Sequence, residues 1–99
     1  MRISTHMDGQ TLTVELEGRL DTATTPQVSE ALQDCPDKCD LCILDFANVD
    51  YISSAGLRLL LLLHKRMGTA GGGLTLRRVQ PGVRDILDMT GFTAFLRME

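Results

Sequence analysis

Leu59 to Leu63 is an unbroken run of five leucines, flanked by Arg58 on one side and His64-Lys65-Arg66 on the other. A helix through this run is apolar almost all round, which predicts that other layers sandwich it. A bilayer span takes about 20 apolar residues, so the run reads as a core helix and not as a membrane segment. A chain of 99 residues has room for one compact domain around such a helix, so residues 1–99 are read as a single unit.

The flanking patterns supply a sheet. Ile3, Thr5 and Met7 alternate with Arg2, Ser4 and His6, and after Asp8-Gly9 the run Leu12, Val14, Leu16 alternates with Thr11, Thr13, Glu15, Glu17. Period-two patterning around an Asp-Gly turn predicts a β-hairpin, ended by Gly18. Thr24-Thr25-Pro26 predicts a helix start with capping hydroxyls, and Val28, Ala31 and Leu32 share one stripe of that helix. Cys35-Pro36-Asp37-Lys38 is expected to break it. The continuous run Leu41-Cys42-Ile43-Leu44 before Asp45-Phe46 predicts a strand buried on both faces. Gly71-Gly72-Gly73 connects the leucine helix to a strand containing Leu74, Leu76 and Val79. No Gly-Lys-Ser/Thr follows it, so it is not a phosphate loop. Pro81 starts a last helix, with Val83, Ile86 and Leu87 on one face and Gly91 as its C-terminal cap.

The order β-β-α-β-α-β-α, with a short terminal strand possible, predicts an α/β fold. Its mixed sheet of four to five strands would have helices packed mainly on one face. The formal net charge of -3 and the scattered basic residues exclude a general nucleic-acid binder. The first residues, Met1-Arg2-Ile3-Ser4-Thr5-His6, contain no apolar signal region. The expected compartment is therefore the cytoplasm, with the three cysteines as reduced thiols.

The stretch Asp45-Phe46-Ala47-Asn48-Val49-Asp50-Tyr51-Ile52-Ser53-Ser54-Ala55-Gly56-Leu57-Arg58 carries the functional signal. A buried strand leads to a surface loop, and the loop enters the leucine helix through two adjacent serines. A helix N-terminus presents free N–H groups and a positive dipole end, which stabilise a phosphate. The same serines serve equally well as ordinary N-caps. Gly56 is expected to leave that helix end open to a close-fitting partner. Asp45 is expected to tie down the loop through backbone N–H groups.

Tyr51-Ile52-Ser53-Ser54-Ala55-Gly56-Leu57-Arg58, following Leu44-Asp45-Phe46, resembles the signature of STAS-domain anti-sigma factor antagonists. Gly18-Arg19-Leu20-Asp21 resembles the family's Gly-x-Leu-Asp element, and Pro81 through Phe92 resembles its last helix. The resemblance implies a STAS-type fold and a non-enzymatic function: partner switching with an anti-sigma factor that is also an ATP-dependent serine kinase. A PP2C-like serine phosphatase resets the switch. ATP and magnesium belong to the kinase, so the chain itself takes no cofactor. The resemblance implies phosphorylation at Ser54, with Ser53 as the alternative. It puts the partner surface on Asp21, Asp50, Tyr51, Ser53, Ser54, Gly56 and Arg58. In many antagonists the acceptor stands immediately before the glycine, where this chain has Ala55, and Ser53 replaces an acidic residue often found earlier. A STAS module that docks without phosphorylation is the alternative. Asp21 or Asp50 could orient the serine hydroxyl if either lies beside it.

Cys35, Cys39 and Cys42 have C-x₃-C-x₂-C spacing, which can also hold an iron–sulfur cluster. Against that, the chain is too short for the barrel that usually accompanies this spacing, and Cys42 falls inside the buried run. The cysteines are read as core or loop residues. His6 and His64 form no helical pair, and nothing resembles Gly-x-Ser-x-Gly, so no catalytic site is expected.

Overall fold

The computed structural model describes all residues from Met1 to Glu99. Strands β1 (Arg2–Asp8), β2 (Thr11–Leu20), β3 (Leu41–Ile52), β4 (Gly73–Arg77) and β5 (Arg97–Met98) form one sheet in the order β1-β2-β3-β4-β5. Helices α1 (Thr25–Ala31), α2 (Cys35–Lys38), α3 (Ser54–Thr69) and α4 (Pro81–Met89), with a 3-10 turn at Phe92–Ala94, fill the connections. The hairpin β1–β2 is antiparallel and every later pair is parallel. Successive parallel strands are added in one direction, so right-handed crossovers put all the helices on one face. The mixed α/β architecture is thus as the residue pattern predicts.

The core lies between that face and the helices. Val14, Leu16, Cys42, Leu44, Phe46, Leu74 and Leu76 of the sheet pack with Val28, Leu60, Leu63, Val83 and Leu87 of the helices. The register aligns Thr13 with Ile43 and Ile43 with Thr75, and Glu15 with Asp45 and Asp45 with Arg77, so the opposite face is mostly polar.

Five local expectations need correction. Strand β4 stops at Arg77, so Val79 lies beyond it, after the left-handed Arg78 (φ 55°) turns the chain. The leucine helix is not sandwiched: Leu59, Leu60, Leu63 and Met67 are buried, but Leu62 is 48% exposed. With every helix on one side of the sheet, nothing stands behind α3. Gly18 does not end β2; at φ 125° it sits at a register irregularity, and the strand runs on to Leu20. Cys35 to Lys38 forms the short helix α2 instead of only a break, because Pro36 fits a first helical turn. Thr24 precedes α1 but does not cap it; its hydroxyl donates to the Arg19 carbonyl at 2.6 Å.

The three cysteines are buried free thiols, with Cys35 Sγ 3.6 Å from Cys39 Sγ. A hydrogen bond with Cys42 and burial push the Cys35 thiol up, and burial followed by the Cys35 contact pushes Cys39 up to about 12. No group of three or more His, Cys, Asp or Glu side chains is placed to hold a metal ion. No helix is long and apolar enough to cross a membrane.

Candidate functional site: the β3–α3 junction

The two serines at this junction face different environments. Ser53 is the residue before α3, in extended backbone (φ -99°, ψ 177°), and its amide donates to the Leu20 carbonyl at 2.9 Å. That bond clamps the junction to the end of β2. The Ser53 hydroxyl oxygen is buried and has no hydrogen-bond partner, so it does not act as an N-cap. Ser54, the first residue of α3, is exposed. The first backbone bond of the helix runs from the Leu57 amide to the Ser53 carbonyl at 2.9 Å. The amides of Ser54, Ala55 and Gly56 therefore have no intrahelical acceptor, as at any helix start. Arg58 is exposed one turn further on, at the i+4 position relative to Ser54.

Gly56 is buried, contrary to the expectation that it opens the helix end to a partner. A Cβ there would lie 2.7 Å from Ile52 Cγ1 and 2.9 Å from the Leu20 carbonyl oxygen. Its lack of a side chain lets α3 approach the end of β2. The glycine serves packing within the chain.

Asp21 closes the turn between β2 and α1. Its carboxylate accepts from the amides of Ala23 at 3.0 Å and Thr24 at 3.2 Å, and lies 3.6 Å from Arg19 Nε. Burial opposes ionisation, but the Thr24 and Ala23 amides, the Thr24 hydroxyl and Arg19 outweigh it and hold the carboxyl below its usual value. The Arg19 guanidinium also stacks 4.2 Å from the ring centre of Tyr51, which is itself exposed. Asp21, Arg19 and Tyr51 thus form one contiguous surface across β2 and β3. Asp50 is exposed, and its side chain makes no hydrogen bond or ion pair. Neither Asp21 nor Asp50 hydrogen-bonds a serine hydroxyl, so the idea that a carboxylate orients the serine is not met. The structure brings Asp21 and Tyr51 together through Arg19 and leaves Asp50 separate.

Two features escaped the residue pattern. One is a shallow groove of about 220 Å³ between α1 and α3, where Pro26, Ser29, Ala55, Arg58 and Leu62 line the walls. The other is Arg78, whose guanidinium forms an ion pair with the buried carboxylate of Asp45 through Nε at 3.1 Å and through Nη2. Asp45 also accepts from the Ala47 amide at 3.0 Å. Both residues lie within β3, which runs on to Ile52, so the carboxylate braces the strand and not the surface loop that the residue pattern predicts. Burial opposes ionisation of Asp45, yet Arg78 and the Ala47 amide together keep its carboxyl below the usual value. Arg19 stands in the Gly18-x-Leu20-Asp21 element and could have been found there. The left-handed backbone of Arg78 (φ 55°) left no comparable trace.

The fold is thus a five-stranded mixed sheet with one helical face, carrying a serine at a strand-to-helix junction. The chain belongs to the STAS domain family, which matches residues 2–99. BtrV of Bordetella bronchiseptica is 37% identical over 78 residues, spanning 78% of this chain and 67% of that protein. An anti-sigma F factor antagonist of Paenibacillus polymyxa is 33% identical over 84 residues, or 81% of this chain and 70% of that one. Among solved structures, SpoIIAA in its unphosphorylated form superposes with a TM-score of 0.80 at 19% identity, covering 99% of this chain and 87% of that one. The Bacillus SpoIIAA phosphorylated form superposes at 0.78 and 18% identity, covering 99% and 91%.

Proposed function

We propose that this chain is an anti-sigma factor antagonist controlled by phosphorylation of Ser54. In the unphosphorylated form it binds an anti-sigma factor that is also a serine kinase, which frees the sigma factor. The kinase phosphorylates Ser54 and releases the chain, and a PP2C-like phosphatase resets it. The cycle runs in the cytoplasm, and the chain contributes a substrate hydroxyl and a docking surface, not catalysis.

The observation that carries the site assignment is the contrast between an exposed Ser54 and a Ser53 hydroxyl sealed without a partner. A kinase must align a hydroxyl with the γ-phosphate, and only Ser54 offers one without local unfolding. Family membership and the existence of phosphorylated SpoIIAA support a switch of this kind. The free amides at the start of α3 accommodate the phosphate, and Arg58 stands at the i+4 position, within reach for pairing. The fold therefore survives modification and the cost falls on the partner interface. A phosphate carrying two charges about 6 Å from a partner carboxylate costs roughly 1 to 5 kcal/mol, depending on screening. The docking surface is assigned to Asp21, Tyr51, Ser54 and Arg58, together with Arg19 and the groove between α1 and α3.

One feature favours a second reading, a STAS module that docks without phosphorylation: Ala55 occupies the usual acceptor position before Gly56. Incubation with the cognate kinase and ATP, followed by mass-spectrometric mapping, separates the two. Phosphate on Ser54, lost in Ser54→Ala and retained in Ser53→Ala, supports the switch. No incorporation supports the scaffold.

A further inference from the structure

The outer edge of β1 is unpaired, because β1 ends the sheet. Its seven residues, Arg2 to Asp8, are regular, with no proline and no register shift against β2, and the charges of Arg2 and Asp8 stand at its two ends. Proteins usually protect such an edge with one of those devices or by covering it. Here the helical layer stops short of it. A groove of about 260 Å³ separates Thr5, Met7 and Leu12 on the sheet from Ala31 and Lys38 on the helices, and Met7 remains 42% exposed.

We propose that β1 pairs antiparallel with β1 of a second copy of this chain, about a twofold axis at Thr5, joining the two sheets into one. The strand is self-complementary in that register. Arg2 falls opposite Asp8 of the second copy, an ion pair made twice by symmetry. Ile3 falls opposite Met7, extending the helix-side apolar surface across the junction. Ser4 falls opposite His6, a polar pair, and Thr5 meets itself, a favourable cross-strand combination. A shift of one residue would set the apolar positions against polar ones and turn them to opposite faces. The interface is isologous, so it closes at a dimer and does not propagate. Within one chain Arg2 already lies 3.8 Å from Glu17, its neighbour on β2, at an exposed position; in the dimer it would bridge Glu17 and Asp8.

Sedimentation equilibrium of the full chain across about 10 µM to about 1 mM, the range of weak strand-edge association, tests the proposal. The wild type is expected to move from one-chain to two-chain mass. Arg2→Asp and Asp8→Arg each place like charges at both ends of the pairing, and each is expected to weaken the dimer about tenfold. The double variant is expected to recover most of that loss. Far-UV circular dichroism checks that all variants fold. Should a variant not fold, hydrogen exchange on the wild type still decides, because alternate amides of β1 must gain protection as concentration rises. A wild type with one-chain mass at about 1 mM overturns the proposal and leaves the edge to a strand of another protein. A dimer indifferent to the single reversals, or a double variant as weak as the singles, overturns this register.

Discussion

Gly56 of α3 meets Leu20 at the end of β2 so closely that an added Cβ would stand 2.9 Å from the Leu20 carbonyl oxygen and 3.0 Å from Leu20 Cγ. The same carbonyl accepts the Ser53 amide at 2.9 Å, so one peptide group of β2 sets the position of the whole serine junction.

That relationship predicts the outcome of Gly56→Ala. Overpacking against backbone costs about 1 to 3 kcal/mol, and the gain in helix propensity returns up to about 1 kcal/mol. A net loss of about 1 to 2 kcal/mol follows, lowering the melting temperature by about 4 to 8 °C for each kcal/mol in a domain of this size. Urea and thermal unfolding measure it. A stabilised variant would show that the close approach relaxes at no cost.

Ser53 gives a prediction of opposite sign. A buried hydroxyl without a partner costs about 1 to 3 kcal/mol of desolvation, whereas a working N-cap serine contributes about 1 kcal/mol. Because Ser53 makes no capping bond, Ser53→Ala is expected to be neutral or stabilising by up to about 1 kcal/mol. Loss of more than about 1 kcal/mol in urea unfolding would mean the hydroxyl caps α3 after all.

The Asp45–Arg78 pair predicts acid sensitivity. The Asp45 carboxyl is held below 3.8, its value without these partners. Its contribution to stability is therefore complete above that value and lost as pH falls through the lower folded-state value. Wild type should exceed Asp45→Asn in stability at pH 7, and the gap should narrow below about pH 4. Arg78 is largely exposed, so screening tempers the pair, and Arg78→Ala is expected to lower stability at pH 7 and to flatten the same pH dependence. Arg78→Gly should cost about 1 kcal/mol less, because glycine accepts φ 55° without strain. A constant gap from pH 7 to pH 2, measured by urea unfolding, would remove Asp45 from the account.

Much of the fold was legible because its signals are periodic. The alternation of Leu12, Val14 and Leu16 and the run Leu41 to Leu44 encode strands through which face meets the core. What stayed hidden depends on partners distant in the chain. Leu62 looks identical to Leu60 and Leu63 in sequence, and only the one-sided helical layer exposes it. The serine junction was visible as a motif, but the difference between Ser53 and Ser54 arises from the turn of one residue at a helix start. Arg78 reaches Asp45 across 33 positions. The lack of space at Gly56 is created by Ile52, one turn earlier, together with Leu20, far away in sequence, so a glycine that looks like an opening is a close contact.

The central claim is tested most directly by the affinity of the chain for its anti-sigma factor, measured by calorimetry with Ser54 unmodified and with Ser54 phosphorylated. The account predicts weaker binding after phosphorylation, by about fivefold or more given a cost of about 1 kcal/mol upwards. It also predicts that Ser54→Ala binds like the unmodified chain and is not released by kinase and ATP, while phosphorylated chain retains native circular dichroism. Equal affinity for the two forms, or release of Ser54→Ala by the kinase, would contradict it.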